Sequence, residues 1–191
     1  MEGNPAPRVL GGVDLLERAV NYLTGVLHDV PATALSRPTP CAAWDLRALL
    51  AHLDDSVSVL DEAVGGRIGL GPEAPSEADP TRALRDRSRR LLGAWNAAVD
   101  VAPVTVFGAP VSRGVVVGTG ALEIAVHGWD IARSSGQHRP LPTALADDLL
   151  PLVPLLVADA DRPGRFDAPI PLPAGAGAPE RLLGFLGRDP R

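Results

Sequence analysis

Apolar residues recur at Leu16, Ala19, Val20, Leu23, Val26, Leu27 and Val30, the spacing of a helix that is apolar along one side. A first helix is therefore predicted over residues 13–29, closed by Pro31. Residues 36–40 hold two prolines and two hydroxyl side chains, loop chemistry that leads into a helix start. A second stripe follows at Leu46, Leu49, Leu50, Leu53, Val57, Leu60 and Val64. It predicts a helix with Asp45 in its first turn, favouring the positive end of the helix dipole, and Gly65 and Gly66 at its end. Residues 65–78 show no period and read as a surface connection across one end of a bundle. A third helix is predicted from Pro80 to Val99, with Leu84, Leu91, Trp95 and Ala98 inward and Arg82, Arg85 and Arg89 on a solvated face. The β-branched stretch from Val101 to Val117 is broken by Pro103, Gly108, Pro110 and Gly114, so an extended excursion is expected there. A fourth helix then runs from about Val117 to Ser135 and stops at Gly136. Residues 143–160 are helical in pattern but should kink or break at Pro151 and Pro154. A short strand is expected over 166–172 and a last helical turn or two over 180–186. The sequence thus reads as one all-α domain over 1–191, with a bundle at about 13–160 and a Pro/Gly-rich tail after it.

Composition narrows the function classes. The formal net charge is −5 and the basic residues, all 18 of them arginine, form no tract beyond one helix face, which argues against a nucleic-acid partner. A single cysteine, Cys41, excludes an intrachain disulfide framework and any cysteine-only metal site. The first thirty residues carry no basic leader with an apolar core. Nor do they hold an unbroken apolar run near the roughly 20 residues that span a bilayer. A cytoplasmic protein acting on a small molecule, with no membrane partner, is expected; a homodimer is compatible with the sequence.

The segment GTGALEIAVHGWDIARSSG concentrates the candidate chemistry. It is apolar on nearly every side, so the fourth helix should be largely buried, yet Glu123, His127 and Asp130 share one stripe at spacings of four and three. A buried carboxylate demands a counter-charge, a hydrogen-bond network or a metal. Carboxylate and imidazole at i and i+4 can converge on one divalent ion. Of the four histidines, His28 and His138 fall near helix ends or in loops. His52 sits in the middle of the second helix at the edge of its apolar stripe. Packing of that helix on the fourth would bring His52 to face the Glu123 and His127 pair, leaving a coordination position open. A plain hydrogen-bonded core remains the alternative from spacing alone. Asp130 is a candidate to orient a ligand histidine from behind, or to pair with an arginine. Trp44 and Trp129 read as core packing, and Cys41 as an inert thiol. No Ser-His-Asp order, phosphate-cradling loop or dinucleotide fingerprint stands in the context it needs.

Three runs carry a resemblance over essentially the whole chain: RPTPCAAWDLRALLAHL (37–53), LEIAVHGWDIARSSG (122–136) and RLLGFLGRDP (181–190). Together they are similar to actinobacterial metal-binding proteins of the DinB-like superfamily, in the branch named for the N-terminal domain of mycothiol-dependent maleylpyruvate isomerase. The resemblance implies a four-helix bundle with a long crossover connection. It also implies a divalent metal, usually zinc, whose ligands correspond to His52, Glu123 and His127. It further implies that the open metal position binds a low-molecular-weight thiol such as mycothiol, which then adds to an electrophile in S-transfer or isomerisation. The residues after 160 are too few for the isomerase's separate C-terminal domain, so maleylpyruvate isomerase activity itself is not expected. A thiol-independent hydrolase or cyclase in a natural-product pathway, and a non-catalytic metal-binding or stress-response protein, are the alternatives.

Overall fold

The computed structural model describes residues 12–41, 44–69, 79–98, 102–162 and 166–191. It is mostly helical, with one small sheet. The four long helices are α1 (Val13–His28), α2 (Leu46–Val64), α3 (Pro80–Ala97) and α4 (Arg113–Ser135). α1 packs against α3 and α4, and α2 packs against the same two. Each apolar stripe is therefore shared between two neighbours: Leu16, Leu23, Leu49, Leu53, Leu84, Leu91, Ile124 and Ile131 are all fully buried.

α4 is buried around most of its circumference, from Val116 to Ser135. By length and composition it could cross a membrane, but its burial among the other helices marks it as a core helix. It begins at Arg113, a turn before the expected Val117, because Ser112 caps it: the Ser112 hydroxyl accepts from the Val115 amide at 3.3 Å. Close packing along α4 depends on small residues. A Cβ at Gly120 would lie 2.5 and 2.6 Å from the two Leu60 methyls of α2. At the other end Gly136, at φ +82°, stops the helix in the left-handed conformation.

Local chemistry sets the remaining boundaries. Asp45 is the N-cap of α2 rather than a first-turn residue, with its carboxylate accepting from the Ala48 amide at 2.8 Å. Asp79 caps α3 through the amides of Thr81 and Arg82, and Trp95 on α3 donates its indole N–H to the Leu60 carbonyl at 3.2 Å. On the charged face of α3, Arg87 pairs with Asp54 of α2 at 2.7 Å.

The excursion after α3 is a hairpin of β2 (Val104–Val106) and β3 (Ala109–Val111), turned at Phe107 and Gly108. Its strand β2 pairs in parallel with a two-residue strand, β1 (Arg67–Ile68), which follows α2. The hairpin falls within the extended excursion expected over 101–117 and leaves the fold mostly helical, while β1 corrects the patternless reading of 65–69. A two-residue strand has no alternation to detect; residues 70–78 lie outside those described.

Beyond α4 the helical pattern breaks where the prolines dictate, giving α5 (Thr143–Leu149) and α6 (Val153–Leu156). The strand expected at 166–172 is absent among the described residues; the segment is irregular and docks by donating the Ile170 amide to the Gly184 carbonyl at 2.9 Å. α7 (Ala178–Phe185) packs on α5. Gly120→Val is expected to lower the stability of the protein by about 1–3 kcal/mol through overpacking against Leu60. Gly93→Ala, at an exposed helical position with open space around it, should raise it by about 0.4–1 kcal/mol. Chemical denaturation of both variants checks the pair.

Candidate metal centre

α2 and α4 run antiparallel, with Leu60 beside Gly120 and His52 beside Glu123. This alignment brings the middle of α2 onto the Glu123 and His127 stripe. His52 Nε2 lies 2.8 Å from Glu123 Oε1 and His127 Nε2 lies 3.3 Å from the same oxygen. Donor atoms of His52, Glu123 and His127 all fall within 4.8 Å of one another. Ser56, one turn after His52, donates its hydroxyl to Glu123 Oε1 at 3.2 Å.

The far side of His127 is more tightly held. Its Nδ1 sits 2.9 Å from Asp130 Oδ2. Asp130 has no exposed surface, and Arg188 grips it: Nε reaches Oδ1 and Oδ2 at 3.1 and 3.2 Å, and Nη2 reaches Oδ2 at 2.9 Å. Arg188 Nη2 also donates to Cys41 Sγ at 3.3 Å, and the thiol reaches Asp130 Oδ2 at 3.6 Å.

The electrostatics follow from these contacts. Burial would push the Asp130 carboxyl up, but its bond to His127 and the Arg188 charge overcome that and hold it below the usual range. An ionised Asp130 only accepts, so His127 Nδ1 carries a proton and Nε2 is the nitrogen turned to Glu123. Burial opposes the His127 charge too, but hydrogen bonds to Asp130, Cys41 and Glu123 outweigh it and raise its pKa well above the ordinary value. For Glu123 burial is again overturned, here by hydrogen bonds from His127 and His52, and its pKa falls below the carboxylate range.

The contacts of both Nε2 atoms with Glu123 Oε1 thus gather the three groups that a divalent cation would hold. Two imidazole nitrogens and a carboxylate oxygen fit zinc, and a histidine whose other nitrogen donates to a carboxylate is the usual support for such an ion. A second donor group, Cys41 with His127 and Asp130, is equally compact. The Arg188 guanidinium already fills it, and its positive charge makes that side hostile to a cation.

The sequence-derived candidates His52, Glu123, His127 and Asp130 are brought together. His28 and His138 are exposed elsewhere. Asp130 contacts both His127 Nδ1 and the Arg188 guanidinium. Trp129 is buried as expected. Trp44 packs on the edge of the core, half-buried, with its ring tilted by 38° against His52 at a centroid distance of 4.5 Å. Arg188 was missed. It lies in the RLLGFLGRDP run, but nothing in its local pattern tells a buried arginine from an exposed one.

The profile of the mycothiol maleylpyruvate isomerase N-terminal domain matches residues 16–132. The chain belongs to this family. The matched span holds His52, Glu123, His127 and Asp130 but ends before Arg188. Two proteins of Mycobacterium tuberculosis, "Uncharacterized protein Rv0738" of strain ATCC 25618 / H37Rv and "Uncharacterized protein MT0763" of strain CDC 1551 / Oshkosh, are each 30% identical over 190 residues. Each alignment covers 92% of this chain and 96% of the relative. No solved structure matches the chain.

Arg188→Met would strand the buried Asp130 charge and should destabilise the protein by about 3–5 kcal/mol. Adding Asp130→Asn in the same chain should recover much of that loss. A double-mutant cycle by urea unfolding, which measures the coupling, checks this.

Proposed function

We propose that this member of the family is a metal-dependent enzyme that activates a low-molecular-weight thiol, the mycothiol of the family's name, for S-transfer to or isomerisation of a small electrophile. In this reading zinc is held by His52, Glu123 and His127 on a DinB-type bundle formed by α1 to α4, in the cytoplasm. One observation carries it: the donor cluster is closed on one side and open on the other. His127 and Asp130 are buried behind Arg188, whereas the side chains of His52 and Glu123 are 36% and 32% exposed. A structural site would be enclosed on all sides; a half-open one admits a small molecule.

A bound divalent ion supplies Lewis acidity that lowers the pKa of a thiol reaching its open position, so that thiolate is available near neutral pH. The protein's own side chains prepare that position. Ser56 donates to Glu123 Oε1 and fixes the carboxylate's rotation. The Trp44 indole packs against the His52 ring with centroids 4.5 Å apart and restricts its rotation. Asp130 holds the proton on His127 Nδ1 and thereby keeps Nε2 for the ligand role. The half-buried Trp44 also offers an apolar wall beside the opening, suited to the carbon skeleton of an electrophile rather than to a polyanion.

Protein purified without added metal should contain about one zinc per chain by elemental analysis, and His52→Ala and Glu123→Ala should lose it. The zinc-loaded protein should accelerate consumption of chlorodinitrobenzene only when mycothiol is supplied, and the two variants should fall by more than about 100-fold, beyond the effect of an outer-shell partner. Wild-type protein without stoichiometric metal would contradict the metal site. Metal-dependent turnover of a small ester or lactone that needs no thiol would favour the hydrolase alternative, and bound metal with no turnover the non-catalytic one.

A further inference from the structure

Arg188 reaches the metal centre from the end of the chain, and several devices exist to place it there. α7 ends at Phe185, and Gly187 follows at φ +79°, a conformation that suits glycine and turns the chain inward. A Cβ at Gly187 would sit 2.7 Å from Asp167 Cβ and 2.8 Å from the Asp167 carbonyl oxygen, so the turn is also wedged against the irregular segment at Asp167. Arg162, itself buried, ties that backbone down: Nη1 donates to the carbonyls of Asp167 at 3.2 Å and Phe185 at 3.0 Å. The Arg188 amide then closes the turn onto the Leu183 carbonyl at 2.9 Å. Its side chain runs inward with 6% of its surface exposed.

There the guanidinium meets four acceptor atoms on three residues: both oxygens of Asp130, the Cys41 sulfur, and the Leu186 carbonyl at 3.1 Å. A guanidinium fork on a carboxylate fixes the plane of that carboxylate as well as its charge, which a lysine ammonium does not do. Asp130 Oδ2 is the atom that receives His127 Nδ1. The plane imposed by Arg188 therefore sets the direction of the His127 ring, and with it the direction of Nε2.

We propose that Arg188 is a positioning residue for the metal: acting through Asp130, it sets the His127 ring so that Nε2 meets His52 and Glu123, and so tunes metal affinity from the C-terminal end of the chain. The inference rests on the metal reading of His52, Glu123 and His127. It adds a residue outside the span that the family match covers, and it makes α7 part of the centre rather than a trailing helix.

The test is zinc affinity of the full-length protein, measured by competition with a chromogenic chelator. Thermal unfolding of the metal-free variants is followed alongside. Arg188→Gln is expected to weaken zinc binding by about 10–100-fold, the range for outer-shell partners. Arg188→Lys, which keeps the charge but loses the fork, should fall between Gln and wild type. A purely structural arginine would lower the unfolding temperature and leave the affinity of the folded fraction unchanged. Folded Arg188→Gln or Arg188→Lys protein that binds zinc within twofold of wild type overturns the inference.

Should both variants fail to fold, the ring nitrogens of His127 in wild-type protein decide the matter by 15N NMR. A protonated Nδ1 and a zinc-bound Nε2 support it; zinc on Nδ1 overturns it. Failure of the underlying reading looks different. Wild-type protein that takes up no zinc, or a His52→Ala variant that binds it as tightly as wild type, overturns the metal site and this inference with it. Zinc bound through His52 beside unaffected Arg188 variants overturns this inference alone.

Discussion

The Asp130 carboxylate sits with no exposed surface on a helix that is buried around most of its circumference. An ion there is tolerated only with an opposite charge in contact and its remaining acceptor sites filled. Arg188, His127 and Cys41 meet that demand together, and two of the three come from outside α4. The N-terminal edge of α2 must stay close enough to bring Cys41, and the C-terminal segment must fold back to bring Arg188. The return of the C-terminal segment to the bundle therefore follows from one buried charge on α4. The turn at Gly187 and the Arg162 contacts are the local means by which that return is achieved.

The same contact divides the centre into two halves. On the Asp130 side every acceptor is paired, the surface is buried and a guanidinium repels cations. On the His52 side the donors face a partly exposed opening bordered by Trp44 and Ser56. His127 lies at the boundary, with one ring nitrogen in each half. Fixing Nδ1 in the closed half leaves Nε2 as the nitrogen presented to the open one. A half-closed donor set of this kind suits chemistry on an incoming small molecule better than a structural role.

Much of this was legible in the sequence, and the exceptions have physical causes. The long amphipathic stripes of α1, α2 and α3 and the apolar α4 announce themselves by period, because one core extracts the same spacing from each helix. Glu123 and His127 stand out because charged groups are costly on such a helix, and His52 because histidines are few. The start of α4 was misplaced because Ser112 is an ordinary hydroxyl residue until its cap bond forms. The hairpin was legible only as an extended excursion because three-residue strands have no period, and the two-residue β1 was missed for the same reason. Arg188 was hidden for a different reason: its burial depends on a partner 58 positions away, and no local pattern carries that information. Trp44 likewise reads as core until α2 and α4 are placed side by side.

The central claim is that a divalent ion is bound by nitrogen and oxygen from His52, Glu123 and His127, and not by the neighbouring Cys41 group. X-ray absorption spectroscopy of the zinc-loaded protein, prepared free of any added thiol, reads the donor atoms directly. The expected spectrum shows a shell of nitrogen and oxygen at about 2.0–2.2 Å with imidazole scattering and no sulfur. A sulfur shell at about 2.3 Å would place the ion on Cys41, displacing Arg188 from its side, and would contradict the assignment.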